Sequence, residues 1–171
     1  MGLLNAAIWL GAATFCTLAV LPVVNSQKMM SLLGQTYFPY LSEAIGRVVM
    51  TRLFHWQVFF ALVAWLHLVL EWLYLGRMPR RFWVTLLTLL FCMSLLGGLW
   101  LNPKLMALHR VQHAGNVPPA NREVAARSFR VWEGVFQALN VLLIAGVGVY
   151  FWRLTTNEDT PRFVTPVKFR G

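Results

Sequence analysis

Polar and apolar positions alternate along this chain on the scale of tens of residues, not of twos or fours. Four long apolar runs stand out, at 3–24, 53–75, 82–101 and 131–152. The first carries no charged residue, and its exit is marked by Pro22, Asn25, Ser26, Gln27 and Lys28. At ~1.5 Å per residue, runs of this length cross a hydrocarbon core of ~30 Å. The pattern therefore predicts an all-α integral membrane protein: an antiparallel four-helix bundle formed by residues 1–152, followed by a polar tail at 153–171. The start of the chain has no basic n-region, and its apolar run exceeds a cleaved h-region, so it reads as a retained first helix.

The connections differ in kind. Gly76-Arg77-Met78-Pro79-Arg80-Arg81 reads as a tight turn that sends the third helix back beside the second. The third run is expected to stop at Asn102-Pro103, because proline disfavours helical geometry in the residue before it. Two longer connections, 25–52 and 102–130, hold amphipathic stretches such as Met29, Met30, Leu32 and Leu33, then Tyr37, Phe38, Tyr40 and Leu41. These predict amphipathic interfacial helices in both long loops. In the second, 104–114 reads as a helix, 115–119 as a breaker, and 120–130 as a lead into the fourth run. Trp56, Trp72, Trp83, Trp100, Trp132 and Trp152 fall within about a turn of the predicted helix ends, as an aromatic belt would. Trp9 and Trp65 lie deeper.

Composition agrees with the pattern: 58% of the residues are hydrophobic and 12% charged. A soluble domain is nearer ~25% charged. The net charge of +9 would suggest nucleic acid in a soluble protein. Here the basic residues lie between and after the apolar runs, so they orient helices and meet lipid headgroups, and nucleic-acid binding is not expected. Lys and Arg divide almost evenly between the two sides of the bundle. Only the concentration of arginines in the turn points to both termini lying inside. Cys16 and Cys92 sit within apolar runs and read as small buried hydrophobes.

Candidate chemistry comes from polar residues inside or beside the runs. Arg130, Glu133, Gln137 and Asn140 recur at spacings of three and four along one helix face. Arg52 begins the second helix on the same side. This cluster reads as helix–helix hydrogen bonding with Glu133 paired to an arginine, or as a polar pocket for an ion, ligand or lipid headgroup. His67 and Glu71 are four apart and read as a hydrogen-bonded pair. His55 and His67 are the candidate ligands for a haem or pigment. Twelve residues separate them, ~120° around a helix at 3.6 residues per turn, so they cannot share one ligand plane. No other run supplies a histidine, which argues against a two-haem cytochrome architecture. His109 and His113 have the i, i+4 spacing that lets two imidazoles reach one metal ion. No acidic residue lies between them, which excludes the zinc-protease pattern. The sequence requires no cofactor. It shows no phosphate loop, nucleophile elbow or carboxylate pair, so an enzyme is not expected.

In chain order, W-L-G-A-A-T-F in the first helix, then Pro22, Gly46-Arg47, Asn102-Pro103-Lys104-Leu105-Met106-Ala107-Leu108 and Phe129 to Asn140 resemble the transmembrane-protein-205-like family. That is a four-helix membrane family of unknown function, with a more distant likeness to copper-resistance membrane proteins. The resemblance spans roughly 5–152 and implies the four-helix topology. The family often has histidine where this chain has Glu133, and a small hydroxyl residue where it has Phe136. The expected role is a non-catalytic accessory subunit, multi-pass in a bacterial inner membrane, contacting lipid and other membrane subunits. The alternatives are a haem-, pigment- or metal-binding protein, or a small transporter or lipid-handling protein built on the stripe from Glu133 to Asn140.

Overall fold

The computed structural model describes residues 2–76 and 81–156, and every regular element among them is helical. We number the helices α1 (Gly2–Val24), α2 (Gln27–Leu33), α3 (Phe38–Leu75), α4 (Arg81–His113) and α5 (Pro119–Thr155). All but α2 are long and apolar enough to cross a membrane. The arginine turn at 77–80 and most of the tail, 157–171, lie outside the described residues.

Three boundaries differ from the sequence reading. α3 begins at Phe38 rather than 53, and α5 at Pro119 rather than 131. Each has proline in its first turn, where the missing N–H costs nothing. The third run does not stop at Pro103 but continues as α4 to His113. The reason lies just upstream. Leu96–Leu101 is a π-helical turn, and the Asn102 N–H reaches back five residues to the Gly97 carbonyl. Widening the helix by one residue relieves the clash a proline ring makes with the carbonyl four residues earlier. Pro22 is handled identically. Cys16–Val20 is π-helical, and the Leu21 N–H bonds the Cys16 carbonyl. Of the segments expected to form separate loop helices, α2 stands alone, capped by Ser26 Oγ accepting from the Met29 N–H at 3.2 Å. The others are extensions of α3, α4 and α5.

At 38 residues α3 is ~57 Å long, well beyond a ~30 Å hydrocarbon core. Its first turns, the last turns of α4 and the first turns of α5 pack together as one polar-ended headpiece. Below it the helices meet through an apolar core of Trp9, Phe54, Leu87, Leu90, Phe136 and Tyr150, all nearly inaccessible. Glycine permits the tightest crossings. A Cβ on Gly97 would overlap the Phe54 ring, and one on Gly146 would lie 2.6 Å from Leu90 Cδ2. Asn5 Nδ2 donates to the Phe60 carbonyl at 3.0 Å, and Asn102 Nδ2 to Thr51 Oγ1 at 2.5 Å. Basic side chains cover tryptophans near both ends of the bundle. Lys104 Nζ is 3.5 Å from the Trp132 ring centre, and the Arg153 guanidinium 4.7 Å from that of Trp83.

Candidate metal site in the headpiece

The headpiece gathers side chains from three helices. On α3, Tyr40, Glu43 and Arg47 follow helical spacing along one face, running from exposed Tyr40 to buried Arg47. The last turns of α4 present His109 and His113, four apart and therefore one above the other. From α5 come Phe129, Glu133 and Phe136.

Arg47 is 5% exposed. Its guanidinium donates to Glu133 Oε2 in an ion pair. It also lies 4.9 Å from the Phe129 ring centre and 5.5 Å from that of Phe136. A buried cation held by a carboxylate and two aromatic faces is fully occupied as a structural clamp between α3 and α5. Glu133 also accepts from Gln137 Nε2 at 3.3 Å. One turn deeper, Asn140 Nδ2 donates to Thr17 Oγ1 at 2.8 Å and ties α5 to α1.

The histidines form a second group. His109 is buried, with its ring stacked on Tyr40 at 5.1 Å and against His113 at 4.5 Å. His109 Nε2 sits 3.2 Å from Glu43 Oε2. That is within ion-pair reach but off the line of a hydrogen bond, and both atoms are buried without a hydrogen-bond partner. His113 Nδ1 lies 3.1 Å from the His109 carbonyl. With the proton on Nδ1 it donates there, leaving Nε2 as a free lone pair. One ligand atom from each of Glu43, His109 and His113 falls within 4.8 Å of the others.

No family model, curated protein or solved structure matches this chain. The site must therefore be read from its own geometry.

The predicted candidates fare unequally. His109 and His113 come together, as their spacing implied, and gain a third donor in Glu43. Glu133, Gln137 and Asn140 face inward as a stripe. Arg52 and Arg130, expected in that cluster, are both exposed, and the arginine that pairs with Glu133 is Arg47. The reason is the longer α3: extending it four turns upstream brings Arg47 to the level of Glu133. His55 is exposed and bonds through Nδ1 to the Thr51 carbonyl of its own helix at 2.7 Å. His67 is half-buried, and its ring fills the space beside Gly2, where a Cβ would lie 2.7 Å from Nε2. Neither is brought to another histidine, so the structure assembles no haem or pigment ligand pair from them. Glu43 and Arg47 were not predicted as site residues. Tyr40, Glu43 and Arg47 are spaced three and four apart, which would have marked one helix face had 38–52 been read as one continuous helix instead of short interfacial ones.

Proposed function

We propose that this chain is a multi-pass integral membrane protein, an antiparallel four-helix bundle, that binds a divalent transition-metal ion through Glu43, His109 and His113. The order of contacts supports the arrangement. Gly2 meets His67, Asn5 meets Phe60 and Leu21 meets Gly46, so α1 and α3 run oppositely. Helical spans, as opposed to a closed barrel, favour a cytoplasmic-type inner membrane of a bacterium over an outer one. Short α2 and the amphipathic headpiece faces lie at the lipid boundary in this reading.

The observation that carries the metal assignment is the buried, unbonded pair of His109 Nε2 and Glu43 Oε2 at 3.2 Å. An imidazole nitrogen and a carboxylate oxygen buried this close and off hydrogen-bond geometry leave both atoms short of a partner that a cation would supply. Zinc–nitrogen and zinc–oxygen bonds of ~2.0–2.2 Å at a tetrahedral angle separate two ligand atoms by ~3.4 Å. The 3.2 Å found, which is also within ion-pair reach, is close to that of two donors sharing one ion. Two imidazoles and a carboxylate suit zinc, cobalt or ferrous iron, and the absence of sulfur from the set disfavours copper(I). Tyr40 and the His109 carbonyl hold the two rings in place, as outer partners do in metal sites. The accessory-subunit expectation drew on the lack of catalytic signatures, which names no ligand, so the buried donor pair is the stronger guide to a binding role. The role is binding, with no catalytic group assigned.

The test is a zinc or cobalt titration of chelator-stripped protein in mild detergent. One equivalent should bind, and His109→Ala should weaken it by at least ~100-fold, since even outer-shell changes cost ~10–100-fold. Equal binding by wild type and His109→Ala would refute the assignment.

A further inference from the structure

Beside the donor cluster lies a cavity of about 250 Å³, lined by Glu43, Arg47 and Glu133 together with Gly46 and Gln137, and reaching Asn25 at the end of α1. Glu43 belongs to both the cavity wall and the donor cluster. We infer that this cavity is a cation vestibule, a route by which a divalent ion reaches and leaves the donor cluster through Glu43. This rests on the metal-binding reading above.

Two observations lead there. The first is access. His109 Nε2 and Glu43 Oε2 are closed to solvent. Of the three donors His109 is buried and His113 exposed, and Glu43 is the one that the cavity meets. The second is charge. Ionised, the lining carries two carboxylates against one guanidinium, a net of minus one. The guanidinium is spent on Glu133 and on the faces of Phe129 and Phe136. A partly enclosed chamber with that balance raises the local concentration of cations and repels anions. Its remaining polar wall offers oxygen donors from Gln137, Ser42 and Asn25, weak ligands that let an ion pass instead of trapping it. The volume, about eight waters at ~30 Å³ each, holds a hydrated divalent ion with room to shed its shell.

Gly46 provides the test. It lines the cavity, and a Cβ there would meet only Leu21 Cδ2, at 3.8 Å, an ordinary contact. Gly46→Leu therefore places a side chain at the chamber wall without replacing any of the three donors, and a helical leucine is intrinsically favoured over glycine. Cobalt is loaded into the full-length protein in detergent, then its loss to excess chelator and its uptake are followed by stopped flow. Gly46→Leu should slow both rates by tenfold or more with the dissociation constant kept within about twofold. Asn25→Trp, which narrows the exposed end without entering the core, should slow both in the same sense. Unchanged rates in a Gly46→Leu protein that still binds cobalt would overturn the vestibule and leave the metal site standing. Wild type that binds no cobalt would overturn both.

Discussion

Removing Glu133 should harm the protein more than removing the arginine it neutralises. Arg47 is 5% exposed, whereas the Glu133 side chain is 34% exposed. Glu133→Ala leaves a guanidinium buried between two phenyl rings with its main counter-charge gone. Breaking a buried pair from one side costs about 3–5 kcal/mol. Here the low end applies, about 3 kcal/mol, because Glu133 is partly wet and Glu43 lines the same cavity. Arg47→Met removes the buried charge and keeps most of the volume. The orphaned Glu133 can turn to water, so the cost falls to about 1 kcal/mol, the scale of a lost hydrogen bond. The double variant Arg47→Met, Glu133→Ala should recover most of the Glu133→Ala loss. Thermal unfolding in one detergent, followed by tryptophan fluorescence, reads the difference. At about 2–4 °C per kcal/mol for a chain of this size, Glu133→Ala should melt some 6–12 °C below wild type and Arg47→Met only a few degrees below. A double variant no more stable than Glu133→Ala, or a harsher effect from Arg47→Met, would show that the pair is not the buried clamp described.

Other consequences are simpler. Gly97→Ala pushes a methyl into the inaccessible Phe54 ring and should destabilise by about 1–3 kcal/mol or more in the same melt; an unchanged midpoint would refute the tight α3–α4 crossing. Thr17→Val removes the acceptor for Asn140 and should cost about 0.5–1.5 kcal/mol, the range of hydrogen bonds between membrane helices; a stabilised protein would argue against that contact. Arg52→Ala and Arg130→Ala should each stay within about 0.5 kcal/mol of wild type, as exposed substitutions do; a loss comparable to Glu133→Ala would return them to the cluster.

The four apolar spans were legible because membrane length and composition are coarse signals that survive local irregularity. Prolines blurred the ends. Pro103 looked like a stop because a regular α-helix cannot carry it, and nothing in Leu96–Leu101 announces the π-helical turn that accommodates it, although Gly97 and Gly98 mark a pliable stretch. Pro39 and Pro119 sit in first turns, where proline begins helices, and read in that sense they would have placed the starts of α3 and α5 correctly. That misreading concealed Glu43, one of the three donors. His109 and His113 declare themselves by spacing within one helix. Glu43 reaches them only because α3 begins at Phe38 and packs its first turns beside the end of α4, a relation between helices that no local pattern encodes. The same extension explains why Arg47 is the arginine that meets Glu133 when Arg52 was the one expected.

The most direct measurement is the visible spectrum of chelator-stripped protein titrated with cobalt(II), read beside His109→Ala and Glu43→Gln. The account predicts d–d absorption that saturates at one ion per chain in wild type and is lost or strongly weakened in both variants. A spectrum in wild type no different from either variant would contradict it and leave the buried histidine as a packing residue.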